Sequence, residues 1–574
     1  MGGGRGEFTP LDWIVLAGYF VGITAFGLWV SRKIRSSRGY FLGDRKLPWW
    51  VMIGQSFGTG THAENPVAQA GATCHFGFAT IWYQWKNMLI TPFYWLMAPW
   101  YRRSERTTIG EIMLDRYGQG MAMLYTVFAL FYFAFNQGTM LKGAGKAIAV
   151  ATGGQLAVFG GVVEITPNTV VGAMAVTFIL YSFFGGLVAS AYTDFVQGFL
   201  IIAMSFLLIP AGLWAVGGFR GMRASLPQDF FELYNEASGV GAFTILMLTL
   251  NGLIGITAQP HTLTMNATGR TERAGRVGQT YGSMVKRFCT IGWALTGLIV
   301  AAMVVQRGIT LGDDKESAFG YACLHLLAPG LTGLMVACIL AANMSTCSNF
   351  MVNSGALFTR NLYGIYFRPR AGDREMLLVG RLSGFALTVV GVAFAFQVGQ
   401  VLDAFMFNET IPAFLGIAVM GGILWKRANR YGALAAVLSS LAAYYAINYQ
   451  QTGSLQLVYK WLAAPYAWAT LVGVVVFVLV SLLTRPEDTE QIERFFDDMR
   501  RSTDREGLAE KQPKPLAAEV GQDLILLDLP GWLTARRWRG FLRRYREDLV
   551  GFVLAWGAVG LLVLAAWGLM QIGR

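Results

Sequence analysis

Runs of about 20 apolar residues without charge recur from one end of this chain to the other, and no other feature constrains its fold as tightly. Each run is long enough to cross a ~30 Å hydrocarbon layer as a helix, because a helix satisfies its own backbone where no water can. About fourteen such spans are expected, near 12–30, 50–73, 78–100, 119–147, 169–186, 194–216, 240–264, 283–306, 331–357, 377–399, 407–424, 432–448, 463–484 and 549–570. Composition agrees: only 14% of the 574 residues are charged, against roughly a quarter in soluble chains. The expected class is an all-α, multi-pass protein whose solvent is lipid.

A formal net charge of +12 suggests a nucleic-acid partner until the basic residues are located. They lie in alternate loops: Arg32, Lys33, Arg35 and Arg38; Arg102, Arg103 and Arg106; Arg270, Arg273 and Arg276; Arg360, Arg368 and Arg370; Lys426, Arg427 and Arg430. That alternation reports topology, with no nucleic-acid partner expected, and by the positive-inside rule it puts the N-terminus outside. An even number of spans returns the C-terminus to the same side. Five scattered cysteines lack paired or metal-type spacing, so neither a disulfide framework nor a zinc site is expected. The run from Trp13 to Val30 lacks a small-residue cleavage site and reads as a retained helix. The long polar stretch from Thr484 to about Asp548 falls on the cytoplasmic side in this topology; its basic half, with Trp532 and Trp538, suits a membrane surface, and an ordinary connector is the plainer reading.

Two spans depart from a simple apolar helix, and irregular or polar backbone at membrane depth survives only beside protein or a cavity. Gln55 to Asn65 reads Gln-Ser-Phe-Gly-Thr-Gly-Thr-His-Ala-Glu-Asn, which disfavours a lipid-facing helix. A break there frees carbonyls for a cation. Ala341 to Ser354 places polar groups at 345, 348 or 349, and 353, at helical spacing on one face.

These residues resemble the sodium:solute symporter family, and the match covers nearly the whole chain in order. It is carried by Tyr40 to Trp50, Ala63-Glu64, Thr107 to Tyr117, Gly185-Gly186-Leu187 with Tyr192 to Gly198, Gln259-Pro260-His261, Leu357 to Tyr363, and Gly422 to Ala433. The resemblance implies two inverted five-helix repeats with a broken first core helix. Residues 1–46 then form an extra helix and loop, 47–424 the transport core, 425–484 accessory helices, 485–548 a cytoplasmic linker and 549–574 a last helix. It implies Na+ as coupling ion, held by the carbonyls of Gly58, Thr61 and Ala342 and the hydroxyls of Ser345 and Thr346. Asp194, Ser348 and Asn349 fall where the family has an exit path or a second sodium site, although Asn stands at 349 in place of the usual hydroxyl. Solute-contact positions map to Glu64, Asn65, Gln84, Lys86, Asn87 and Lys286, and His62 beside the ion ligands joins them. A pocket in which Glu64, Lys86 and Lys286 compensate one another follows.

Each assignment has a plainer counterpart. Ser345 and Thr346 can bond back to their own helix, Asp194 can cap a helix start, and the lysines can snorkel. The expected function is sodium-coupled symport of a small polar solute, sugar or sugar-like first, by a monomer in the plasma membrane, with no organic cofactor. A proton-coupled carrier, an amino-acid or organic-anion substrate, and a sensor built on the same fold are the rivals. An enzyme lacks any nucleophile–base arrangement or phosphate loop.

Overall fold

The computed structural model describes residues 8–31, 47–158, 161–236, 239–311, 314–501, 523–538 and 540–574. It is built almost wholly of helices. In chain order these are α1 (Pro10–Ser31), α2 (Trp49–Gly60), α3 (Glu64–Phe76), α4 (Thr91–Arg103), α5 (Gln119–Ala151), α6 (Pro167–Val216), α7 (Ala242–Ala258), α8 (Glu272–Arg307), α9 (Leu331–Phe358), α10 (Asp373–Gln397), α11 (Val401–Leu424), α12 (Arg430–Thr452), α13 (Ala463–Leu483), α14 (Thr489–Arg500) and α15 (Arg546–Gln571), with shorter turns between. A two-stranded antiparallel ribbon, β1 (Gln155–Val158) paired with β2 (Gly161–Glu164), is the only sheet among the described residues, and the sequence reading did not anticipate it.

Burial separates core from rim. The most apolar window of α8 is 83% buried and that of Leu331–Phe367 is 88% buried, whereas the windows of α10, α13 and α15 are only 22–28% buried and face outward. Helix α8 packs against α2, α3, α4 and α6, while α9 packs against α1, α5, α6 and α10. The extra first helix is tied in by Asp12, whose Oδ1 accepts from the backbone N–H groups of Gly330 and Gly333, both at 2.7 Å, at the start of α9. A carboxylate there satisfies otherwise orphaned helix N–H groups and suits the helix dipole.

The span expectation and the structure differ at one boundary. Seven described helices are long and apolar enough to cross a membrane on those criteria alone. Two of the others expected are interrupted: one is split into α2 and α3, and another runs as Phe78–Thr80, Ile81–Trp85 and α4. The spans expected at 169–186 and 194–216 run together as α6, helical without a break over 50 residues. Gly185-Gly186 and the polar Tyr192-Thr193-Asp194 read as a boundary because of their composition, but helical hydrogen bonding continues through them. Asp194 therefore does not sit at a helix start; its side chain, like that of Ser345, lies outside the described residues.

Candidate functional site

The break in the first core helix is real and narrower than its polar sequence suggests. Helix α2 runs to Gly60, Thr61 turns to extended backbone (φ −125°, ψ 108°), and α3 begins at Glu64. Gly-Thr-Gly-Thr offers low helix propensity, and the side chains that follow compete for backbone groups. The imidazole of His62 bridges the gap, with Nδ1 2.6 Å from Glu64 Oε1 and Nε2 2.6 Å from the Thr59 carbonyl. Asn65 Oδ1 accepts from the His62 N–H at 3.3 Å, and its Nδ2 donates to Glu64 Oε1 at 3.2 Å. Asn343 on α9 accepts from the Ala63 N–H at 3.1 Å and donates to the Met140 carbonyl of α5 at 2.8 Å, so one side chain fixes the break against two helices.

Helix α9 is continuous and lays its polar face along the break. Thr346 Oγ1 lies 3.3 Å from the Gly58 carbonyl and 3.1 Å from the Ala342 carbonyl. A hydroxyl and carbonyls from two helices thus converge in a buried place. Thr61 is buried beside them and its Oγ1 has no partner. These are neutral oxygen donors, the kind a hard monovalent cation takes without placing a full charge in lipid, so the residues present fit Na+. Thr346 does bond back to its own helix, yet the same oxygen also faces α2, so both readings of that residue hold at once. One turn on, Asn349 Nδ2 donates to Thr59 Oγ1 at 3.0 Å and its Oδ1 accepts from Asn353 at 2.7 Å, while Ser348 Oγ is buried without a partner.

On the solute side the expected charge pairing changes. Lys86 forms its ion pair with Glu409 of α11, not with Glu64. Glu64 is taken by His62, and the Lys286 ammonium donates to the Gly60 carbonyl. That carbonyl closes α2, where a cation is favoured by the helix dipole. Gln259 Nε2 also donates to Glu409 at 2.8 Å, and Lys86 Nζ lies 3.4 Å from Asn251 Oδ1. Both polar atoms of Gln84, Asn87 Oδ1 and Glu64 Oε2 are buried and unpartnered. Nearby, Trp85 is fully buried and donates to the Arg287 carbonyl at 3.0 Å, and Trp82 donates to the Leu233 carbonyl at 2.8 Å.

Sequence reading missed Glu409, Asn251, Asn343 and Arg287, and did not see Gln259-Pro260-His261 as a second helix break. That tripeptide separates α7 from Thr262–Ala267 and sets the buried His261 ring parallel to Tyr132, at 6.0 Å between centroids. The signals were present: a proline at membrane depth, and the polar triplet Asn408-Glu409-Thr410 inside an apolar run.

A broken helix crossed by a polar helix, inside an all-α bundle of membrane length, defines a polytopic transporter. Two solved structures share the fold. One is described as a substrate-bound outward-open Na+-coupled sialic acid symporter (TM-score 0.67, 17% identity, 84% of this chain and 99% of that one). The other is a nucleobase-cation-symport-1 family transporter in a closed conformation (TM-score 0.50, 13% identity, 80% and 98%). Their likeness shows the inverted-repeat architecture. The family model for the sodium:solute symporter family matches residues 40–440, and the chain belongs to that family. Among curated relatives it is 28% identical to sodium/glucose cotransporter 2 of Rattus norvegicus (75% of this chain, 70% of the relative). It is 25% identical to sodium/myo-inositol cotransporter 2 of Mus musculus (76% and 69%) and 27% identical to the osmoregulated proline transporter OpuE of Bacillus subtilis (75% and 87%). The protein is a multi-pass membrane symporter that couples a small solute to Na+, and not an enzyme.

Proposed function

We propose that the chain imports a small polyhydroxylated solute, sugar or sugar-like, by alternating access around one Na+ held between α2 and α9. The observation that carries this reading is the approach of Thr346 Oγ1 to the Gly58 carbonyl across the helix break. The ligands are the carbonyls of Gly58, Thr61 and Ala342 and the hydroxyls of Ser345 and Thr346. Bound Na+ joins a helix of one repeat to a helix of the other, which favours one orientation of the repeats and sets the solute residues that follow the break. Release of the ion to the low-sodium side frees them again. One elementary charge moved down 100 mV contributes about 2.3 kcal/mol to that cycle.

A single sodium is favoured because Asn349, standing where the family has a hydroxyl, spends both ends of its amide on Thr59 and Asn353. Gln84, Asn87 and Glu64 bring buried, unpartnered donors and acceptors for hydroxyls, with Asn65 beside them already bonded at both ends of its amide, which is the support for a sugar-like solute. The sugar and inositol cotransporters among the relatives point the same way. The loops at 102–106, 270–276 and 426–430 face the cytoplasm, both termini face outward, and the monomer is the working unit.

The test is uptake by proteoliposomes across a sodium gradient. Thr346→Ala is expected to weaken apparent Na+ affinity about tenfold, roughly 1.4 kcal/mol for one lost polar ligand, while Thr346→Ser retains it. Unchanged sodium dependence in the alanine variant would remove this site from the mechanism.

A further inference from the structure

The run from Leu529 to Arg546 holds six arginines and no acid, and it leads directly into α15. Its interior is ordered. The rings of Trp532, Trp538, Phe541 and Tyr545 form one cluster with neighbouring centroids 5.3–5.6 Å apart. The Trp532 indole donates to the Ile525 carbonyl at 3.0 Å and the Trp538 indole to the Trp532 carbonyl at 2.9 Å, while Arg537 lies over the Trp532 ring and pairs with Asp523 at 3.2 Å. Yet the outside of this ordered run is apolar: Leu533 is 91% exposed, Leu542 74% and Trp538 60%. Arg543 and Arg546, which follow Leu542 in the chain, are exposed as well.

Single exposed leucines are ordinary, but several of them with a tryptophan on one small ordered unit call for a partner surface. A surface both apolar and basic suits the boundary between hydrocarbon and headgroups, where leucine and indole enter the acyl edge and arginine meets phosphate. Position agrees. Helix α15 continues from this run with Val550, Val553 and Leu554 exposed by 52–66%, as a lipid-facing helix does, so the run stands where a hydrocarbon span begins. Charge agrees too. The preceding stretch 502–522 carries four acids against three bases, too small a difference to neutralise six arginines, and Glu547 is a single exposed acid at the far end. The basic excess favours anionic over zwitterionic lipid.

We propose that Leu533, Trp538 and Leu542 dock into the membrane interface and that Arg543 and Arg546 hold the phosphate of an anionic phospholipid there. This rests on the reading above that the 270–276 loop is cytoplasmic: Asp548, in the first turn of α15, pairs with Arg276 and so puts the docking surface on that side, the side of the more anionic leaflet. Arg537 takes no part in lipid binding, because its guanidinium is spent on Asp523 and on the Leu527 carbonyl at 2.7 Å; it holds the aromatic cluster in shape. The next contacts along the chain lead to the transport core. The Glu547 carbonyl accepts from the Trp95 indole of α4 at 3.1 Å, and Arg276 belongs to α8. A headgroup held here therefore adjoins two core helices.

The experiment is amide exchange across 529–546 in the full-length protein, held in nanodiscs of phosphatidylcholine, in discs with phosphatidylglycerol added, and in detergent without lipid. Near an anionic surface each exposed arginine gains about fivefold in binding, so two of them give a slowing of roughly tenfold or more in the phosphatidylglycerol discs. Arg543→Gln combined with Arg546→Gln is expected to remove that difference, and molar salt, with a Debye length of about 3 Å, to shrink it. Leu533→Ser combined with Leu542→Ser is expected to quicken exchange about tenfold in both kinds of disc; unaltered exchange overturns the apolar half of the docking. Equal exchange of the unaltered protein in the two kinds of disc overturns the anionic contact, as does a difference that survives the double arginine substitution. Full protection in detergent overturns both, by showing that the chain's own 502–522 or a second copy covers the surface. Both leaflets of a disc carry the same lipid, so these outcomes do not depend on topology. Trypsin added outside sealed right-side-out vesicles reads topology by itself: cleavage at these arginines would overturn the cytoplasmic placement and uphold whatever lipid contact the discs report. The lipid comparison on the unaltered protein decides the matter even where a variant does not fold.

Discussion

At the scale of single residues, Lys86 and Glu409 show how charge is kept at membrane depth. The lysine side chain is 2% exposed and the glutamate 13%, so neither is solvated and each depends on the other. Removing one partner of a buried pair leaves an uncompensated charge, at a cost of about 3–5 kcal/mol, whereas apolar replacement of both is often nearly neutral. Lys86→Met alone and Glu409→Leu alone are therefore expected to lower the unfolding midpoint steeply, and the double variant to recover most of the loss, as read by a thermal double-mutant cycle. Additive losses would show the pair to be weaker than its burial suggests. The sequence made Lys86 legible as an unusual charge in an apolar run. Its partner was not, because the two are 323 positions apart in the chain and pairing at that distance is decided by how α11 packs. Glu64, close at hand, was the natural candidate, but His62 lies only two residues from it and claims it first.

At the scale of elements, the break between α2 and α3 was readable because glycine and hydroxyl residues weaken a helix wherever they occur. How the break is held was not, since Asn343 and Met140 belong to distant helices. The close approach of α5 to the start of α3 is equally invisible in sequence: a Cβ on Gly143 would stand 2.5 Å from Glu64 Cβ and 2.7 Å from Glu64 Cα. Backbone cannot yield as a flexible side-chain end can, so overpacking there costs roughly 1–3 kcal/mol and pushes the break away from α5. Gly143→Ala is expected to depress solute and Na+ affinity together without altering any charge, measured as paired shifts in the two saturation curves. A variant with lower stability but unaltered affinities would separate packing at this contact from the geometry of the site. By contrast α9 was read correctly as one helix with a polar face, since its period is local information. The reading of α6 failed for the converse reason: local composition argued for a boundary that helical hydrogen bonding passes over.

At the scale of the whole molecule, the described parts of the polar stretch after α13, residues 484–501 and 523–538, are packed onto the bundle. Glu487 pairs with Arg430 at the start of α12, Gln491 donates to the Asp115 carbonyl at 2.8 Å, and Arg103, which also pairs with Glu272, donates to the Met499 carbonyl at 3.1 Å. Trp100 donates to the Leu526 carbonyl at 2.8 Å, the Asp528 N–H to the Ile423 carbonyl at 3.1 Å, and Asp548 pairs with Arg276. The described segments therefore touch α4 and the end of α11, elements from both halves of the transport core, and the first turn of α15 touches α8. The anchor of 484–501 is apolar: Phe495, Phe496 and Met499 on α14 are buried, with Arg116 over both rings at 5.8–5.9 Å. Burying such a ring is worth about 3–5 kcal/mol against alanine, so Phe496→Ala is expected to release α14. Amide exchange across Gln491–Met499 would then quicken by a hundredfold or more, since 2.7 kcal/mol is already that factor. Glu487 adds a pH dependence whose sign is fixed. Burial opposes its ionisation, but hydrogen bonds from the Arg430 side chain and backbone outweigh burial and hold the carboxyl below its ordinary range. A lowered native value stabilises docking above the unfolded carboxyl range and is lost as pH falls through it. Proteolysis near 485–501 should stay constant around neutrality and rise only below about pH 4.5. A rise beginning near pH 6 would mean that some group other than this carboxylate holds this segment.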